Sequence, residues 1–210
     1  MTENGVFESM SALRLGDRVA ALDADGAPTF APIIAFLDRI SNEERLFYSI
    51  STSKGGVGIE LSPYHLIYAA PNNGTDIQTL SPIFARDVRI GNYVYVVAAA
   101  SSVAATDVAK AKPERVTEVA TILKKGAYAP LTTTGTIVVN GVVASCYAVE
   151  KSHLAAHAAF GPIRAYHAMV AWFAVDEGGD RARVVSRDGI HWYANFLKNV
   201  VDFVSPRYLR

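Results

Sequence analysis

A seven-residue segment, Leu13-Arg14-Leu15-Gly16-Asp17-Arg18-Val19, returns 75 residues later as Val88-Arg89-Ile90-Gly91-Asn92-Tyr93-Val94. In each copy a Gly-Asp or Gly-Asn pair, which favours a turn, leads into an apolar strand-like run. Each run then meets a proline, Pro32 or Pro113, ahead of a further apolar stretch. A period this long marks a fused pair of units and not a solenoid, and two alike β units can pack about a pseudo-two-fold axis. Turn pairs before strands also occur by chance in β-proteins, so the repeat needs support from the rest of the chain.

That support comes from the texture up to about Ala148: short β-branched and aromatic runs punctuated by Gly, Pro, Asn and Asp, which is the pattern of an all-β domain. The predicted strands are 18–22, 29–37, 46–52, 58–68, 93–98, 116–123 and 136–149. Within the last, Asn140-Gly141 stands between Ile137-Val138-Val139 and Val142-Val143, the strongest hairpin signal in the chain. Half of the 210 residues are apolar and 19% are charged, a globular composition able to offset chain entropy by burial. Twenty basic residues balance twenty acidic ones, which removes any general field for nucleic acid or an anionic membrane.

From about residue 151 the character changes. Leu154 to Phe160 and Ile163 to Phe173 are Ala-rich and predicted helical, with Pro162 suited to a first helical position. Asp176 to Asp188 reads as a loop. Ile190 to Val204 then carries Trp192, Phe196, Val200 and Val204 at four-residue spacing, with Tyr193, Leu197 and Val201 as an adjacent stripe. Two readings of this 151–210 tail stand side by side: helices packed on the β domain, or a lipid-facing surface in which Trp192, Tyr193 and Phe196 offer apolar bodies with polar tips. The apolar stretch from Pro162 to Val175 is shorter than the roughly 20 residues of a spanning helix, so no transmembrane segment is expected. The opening Met1-Thr2-Glu3-Asn4-Gly5 lacks the basic and apolar regions of a signal peptide.

The chemistry-bearing candidate is Ser62-Pro63-Tyr64-His65, where a hydroxyl precedes an imidazole by three residues. A histidine titrates near neutrality and can give or take a proton, while a lone histidine in an apolar strand is often only a hydrogen-bonded core residue. Asp38 ends the run Ile33-Ile34-Ala35-Phe36-Leu37, so desolvation could raise its pKa; pairing with Arg39 or a solvated strand end is the alternative. Cys146, the only cysteine in this sequence, follows an apolar run and reads as a buried inert thiol. One cysteine excludes an internal disulfide and a Cys-based zinc site. His153, His157, His167 and His191 have no partners at ligand spacing, so no metal or other cofactor is expected. Lys54-Gly55-Gly56-Val57-Gly58 lacks the strand-to-helix setting of a phosphate loop and reads as a hairpin connection. Asn73-Gly74-Thr75 matches the N-glycosylation acceptor pattern, relevant to a secreted parent chain.

These segments together resemble the C-terminal autoprocessing region of Hedgehog proteins, in order and over essentially the whole chain. The matching blocks are Ser11 to Val19, Phe36-Leu37-Asp38-Arg39, Ser62-Pro63-Tyr64-His65-Leu66, Tyr128-Ala129-Pro130-Leu131-Thr132, Gly135 to Asn140, Ala144 to Ala148 and Gly189-Ile190-His191-Trp192-Tyr193-Ala194. The resemblance implies a Hint (Hedgehog/intein) fold, mainly β and duplicated about a pseudo-two-fold, over residues 1–150, and a helical sterol-recognition region over 151–210. It implies autocatalytic cysteine endopeptidase and cholesterol transferase chemistry: an N-to-S acyl shift gives a thioester, which the hydroxyl of cholesterol then captures. Carried across by position, His65 is the histidine that assists departure of the scissile nitrogen, Ser62 stands where the family has threonine, and Asp38 helps activate the sterol hydroxyl. Trp192, Tyr193 and Phe196 become sterol-binding candidates, and Cys146 matches the family's second cysteine, near the site but not its nucleophile.

The implied partners are the precursor's own N-terminal signalling domain, cholesterol as co-substrate and a membrane interface at the tail, with no nucleic acid; the implied location is the secretory route. The family's nucleophilic cysteine lies upstream of the segment corresponding to Glu3-Asn4-Gly5, so the chain starting at Met1 is expected to be inactive by itself. Loss of the strand carrying that cysteine is expected to leave a β edge unpaired. Tyr64 departs from the small residue usual between the proline and the histidine. The competing expectation is a non-catalytic Hint-fold module that binds sterol or a partner protein.

Overall fold

In the computed structural model, residues 1–52, 57–97, 110–148 and 161 are described. Ten strands occur among them: β1 (Arg18–Leu22), β2 (Pro28–Thr52), β3 (Gly58–Leu61), β4 (His65–Ile67), β5 (Ala69–Ala70), β6 (Ile83–Phe84), β7 (Tyr93–Val96), β8 (Lys112–Thr132), β9 (Thr136–Val139) and β10 (Val142–Ala148). Short 3-10 turns cover Ile77–Thr79 and Ala85–Asp87. The strands run in the order β1-β2-β8-β7-β10-β4-β6, with β3 on β2, β5 on β7 and β9 on β10. All pairings are antiparallel. The predicted helices of residues 151–210, and with them Trp192, Tyr193 and Phe196, lie outside the described residues.

The internal repeat is reproduced bond for bond. Arg14 N–H donates to Asp17 Oδ2 at 2.8 Å, and Arg89 N–H donates to Asn92 Oδ1 at 2.8 Å. Gly16 and Gly91 stand at φ +87° and +94°, a left-handed conformation that glycine adopts without Cβ strain. Gly16 N–H donates to the Ile33 carbonyl and Ile33 N–H returns to Asp17; Gly91 N–H donates to the Val116 carbonyl and Val116 N–H returns to Asn92. The equivalence continues along β2 and β8: Ile33 pairs with Thr132 while Val116 pairs with Thr52. Thr52 Oγ1 donates to the Val57 carbonyl, and Thr132 Oγ1 to that of Thr136. The prolines do not correspond, because Arg18 pairs with Pro32 whereas Tyr93 pairs with Arg115. Pro113 stands two residues earlier on its strand, opposite Tyr95.

The predicted strands 29–37 and 46–52 belong to one continuous strand, β2, which pairs with β8 from Ile33↔Thr132 to Thr52↔Val116. Polar Asn42-Glu43-Glu44-Arg45 interrupts the apolar pattern because the two-strand ribbon is exposed there. Opposite this stretch the register slips between Ile40 and Glu44, and Gly126 takes φ +89°. A Cβ at Gly126 would lie 3.0 Å from the Tyr128 ring, so the bulge requires glycine.

The predicted strand 58–68 is broken into β3 and β4 by a turn at Ser62-Pro63-Tyr64, closed by His65 N–H donating to the Ser62 carbonyl at 3.0 Å. The Asn140-Gly141 hairpin is as predicted, both residues having positive φ (50° and 85°). One apolar core, including Ile33, Phe36, Ile50, Ile59, Leu66, Ile67, Val94, Val116, Leu131 and Tyr147, gathers residues from both repeats. At the N-terminus, Met1 to Glu3 lie along β1: Ala20 N–H donates to the Met1 carbonyl, Glu3 N–H donates to the Arg18 carbonyl, and Thr2 bridges Val19.

Candidate active site

The Ser62–His65 turn delivers His65 to the first position of β4, and β4 pairs with β10. Across this pair, separated by 80 residues in sequence, His65 Nε2 lies 2.8 Å from the Ser145 carbonyl. A carbonyl only accepts, so Nε2 carries the hydrogen and, in the neutral ring, Nδ1 presents a lone pair. Burial pushes the His65 pKa below its ordinary value, with the Ser145 carbonyl acting in the opposite direction. The imidazole is held as a neutral base whose protonated form is a stronger acid than free imidazolium.

Ser145 is the residue that sequence reasoning passed over. It lies in the recognised Ala144–Ala148 block, but its contribution is a backbone carbonyl, which no residue identity signals. It is fully buried, and its Oγ accepts the Tyr147 N–H at 3.0 Å. Its neighbour Cys146 is also buried; burial pushes that thiol up to about 11, and Thr132 Oγ1 lies 3.5 Å from Sγ. The inert-thiol reading of the sequence agrees with this environment. Ser62 shares the turn with His65 through its carbonyl.

The turn is gripped from one side. Arg86 N–H donates to the Pro63 carbonyl at 3.1 Å. The Arg86 guanidinium stands 4.2 Å from the centroid of the Tyr64 ring, and that ring meets Phe84 edge-on at 5.8 Å between centroids. Tyr64, a departure from the family pattern, thus fastens the histidine turn to β6 and the 3-10 turn after it.

Asp38 lies on β2 beside a register slip between Phe36 and itself. Among the described residues its Oδ1 is buried with no hydrogen-bond partner. Desolvation raises its pKa, opposed by the positive charge of Arg45 and the Arg39 backbone N–H. The alternative of an Asp38–Arg39 ion pair does not hold, because the Arg39 guanidinium donates to the Leu13 and Ser11 carbonyls, 2.9 Å each, and stacks 4.5 Å from the Phe36 ring. Among the described residues no hydrogen bond or ion pair joins Asp38 to His65; the two occupy different strands. Among the described residues no group of His, Cys, Asp and Glu is arranged to hold a metal ion.

Duplicated β units joined through their long strands, with a half-buried histidine on a carbonyl, define a protein of the intein-like structural class. The crystal structure of the Ssp DnaB mini-intein variant M86 has this fold: TM-score 0.53, 10% identity, covering 70% of this chain and 87% of the other. The family model described as Hint module matches residues 1–206, and the chain belongs to that family. Protein hedgehog of Drosophila persimilis is 34% identical over 214 residues, covering 99% of this chain and 42% of the relative. Indian hedgehog protein of Gallus gallus is 36% identical over 204 residues, covering 97% and 46%. The chain thus spans less than half the length of these curated relatives.

Proposed function

We propose that this chain is the autoprocessing region of a Hedgehog-type precursor, which cuts itself by an acyl shift and transfers its N-terminal portion to cholesterol. The observation that carries the reading is the half-buried His65 Nε2–H bond to the Ser145 carbonyl, which leaves Nδ1 for proton transfer. His65 Nδ1 takes the proton of a cysteine thiol, from sequence preceding Met1, and the thiolate so formed attacks the carbonyl carbon of the residue before it. The C–S bond forms, the C–N bond breaks, and the His65 imidazolium gives its proton to the departing nitrogen. The sterol hydroxyl then attacks the thioester: its proton passes to the Asp38 carboxylate, a C–O bond forms and the thiolate leaves.

Desolvation, which raises the Asp38 pKa, makes its carboxylate a better base for this second step. Ser62 supplies a hydroxyl beside the first, and Trp192, Tyr193 and Phe196 of the 151–210 region supply apolar surface for the sterol. The precursor enters the secretory route, and its signalling half is the acyl donor.

The second reading is a non-catalytic Hint module that binds sterol or protein, to which Cys146, buried with its thiol pushed up to about 11, offers no nucleophile. The precursor form, with the upstream cysteine and an N-terminal reporter, is followed by mass in the presence of cholesterol or dithiothreitol. Sterol-linked reporter is expected, lost in Asp38→Ala but with dithiothreitol cleavage retained, and with both lost in His65→Ala. An intact precursor that is folded yet uncut under both conditions would overturn the reading in favour of the binding module.

A further inference from the structure

A carboxylate that serves as a base must be aimed, and the strand that carries Asp38 is irregular at that point. In a regular strand Phe36 and Asp38, two residues apart, would share a face, and Phe36 is 2% exposed inside the core. The ladder prevents this. Phe36 stands opposite Pro130 and Asp38 opposite Ala129, its immediate neighbour on β8, so Leu37 is the extra residue of a β-bulge. Consecutive residues of β8 point to opposite faces. The bulge therefore carries Asp38 to the face away from Phe36 and brings Arg39, opposite Tyr128, onto the Phe36 side. On its own face Asp38 is half-buried, with Oδ1 unpartnered among the described residues.

Arg39 spans the bulge. Its guanidinium carbon lies 4.5 Å from the centroid of the Phe36 ring, before the extra residue, and 5.9 Å from that of Tyr128 on the facing strand. Nη1 and Nη2 donate to the Leu13 and Ser11 carbonyls at 2.9 Å each, which ties this point of β2 to the segment preceding β1. A slip of one position here would return Asp38 to the core face. The planar fork and stacking face of arginine hold both sides of the extra residue at once. We propose that Arg39 is a positioning residue for the sterol-transfer step, an assignment that rests on the cholesterol-transfer reading above: by pinning the Leu37 bulge, Arg39 aims the Asp38 carboxylate at the hydroxyl that attacks the thioester. Its part is geometric, because its charge lies on the opposite face of β2. The charges that bear on Asp38 are those of Arg45 and Glu43, which act in opposite directions and are paired with each other, while Ala129, facing it from β8, carries none.

The test uses the full precursor, with its upstream cysteine and an N-terminal reporter, and follows sterol-linked product and dithiothreitol cleavage in the same preparations. In Arg39→Ala the rate of sterol transfer is expected to fall about tenfold or more, while dithiothreitol cleavage, which needs His65 but not Asp38, stays within about twofold of wild type. Phe36→Leu removes the ring beneath the guanidinium and keeps the core apolar; it is expected to give the same selective loss at about threefold, and it carries the test if Arg39→Ala fails to fold. The pH profile of sterol transfer separates aim from charge. Its plateau is expected to fall in Arg39→Ala with the midpoint unmoved, because the groups acting electrostatically on Asp38 are unchanged. Sterol transfer at the wild-type rate, an equal loss of both reactions, or a shifted midpoint overturns the assignment and leaves the cholesterol-transfer reading in place. A folded wild-type precursor that forms no sterol-linked product overturns that reading, and the assignment with it.

Discussion

Replacing Thr136 with valine keeps the side-chain shape and removes one hydroxyl, and the hydroxyl's position makes this costly. Thr136 Oγ1 accepts the Leu22 N–H and donates to the Leu22 carbonyl, both at 2.9 Å, fastening β9 of the second repeat to the end of β1 in the first. Both residues are buried, at 3% and 8% exposure, so water does not take over either bond. Opposite Leu22 in the β1–β2 ladder stands Pro28, which has no N–H to offer its carbonyl. Thr136→Val therefore leaves a buried donor and a buried acceptor unsatisfied. At ~1–3 kcal/mol for each such group, partly relieved by relaxation, the loss is about 2–4 kcal/mol. For a chain of this size that lowers Tm by roughly 5–15 °C. Thr136→Ser keeps both bonds and loses about 1 kcal/mol for its methyl group. Urea unfolding at neutral pH, with both variants side by side, measures the difference. A valine variant as stable as the serine variant would refute the argument, since it would mean that the Leu22 backbone finds other partners.

Because folding raises the Asp38 pKa, its contribution to stability is present in full below the ordinary carboxylate pKa near 3.9 and is lost as pH rises through the folded value. Asp38→Asn is therefore expected to match wild type in acid and to exceed it at pH 7 by no more than about 1 kcal/mol, the half-exposed carboxylate being screened; melting curves across pH check the sign. Tyr64→Ala is expected to cost about 1 kcal/mol through its contacts with Arg86 and Phe84, and a double-mutant cycle with Arg86→Ala should return about half of that as coupling. Cys146, buried with its thiol pushed up to about 11, should resist iodoacetamide at pH 8 in the native protein and react fully in guanidinium; rapid native alkylation would contradict the packing around Thr132.

The repeat and the hairpin were legible in the sequence because they depend on residue identity: a glycine needed at positive φ, an Asp or Asn side chain closing the turn on Arg14 or Arg89, and Asn-Gly at the strand reversal. The continuity of β2 was not legible. Its middle is polar on both faces, and only the pairing with β8, remote in sequence, keeps it extended. For the candidate site, the sequence singled out His65 and Asp38 but could not supply the Ser145 carbonyl, because a backbone acceptor carries no side-chain signature. Nor did it separate the two fates of Arg39, since whether a guanidinium meets its neighbour's carboxylate or two distant carbonyls is decided by which face of the strand each side chain takes.

The separation of 80 positions between His65 and Ser145 also sets a time. During synthesis the imidazole emerges long before its acceptor, and the acceptor is in place only once β10 has paired with β4, close to the end of the β unit. Under the proposed self-cleavage, this order acts as a safety interlock: His65 is not fixed in one tautomer until almost the whole β unit has been made and checked by its own packing.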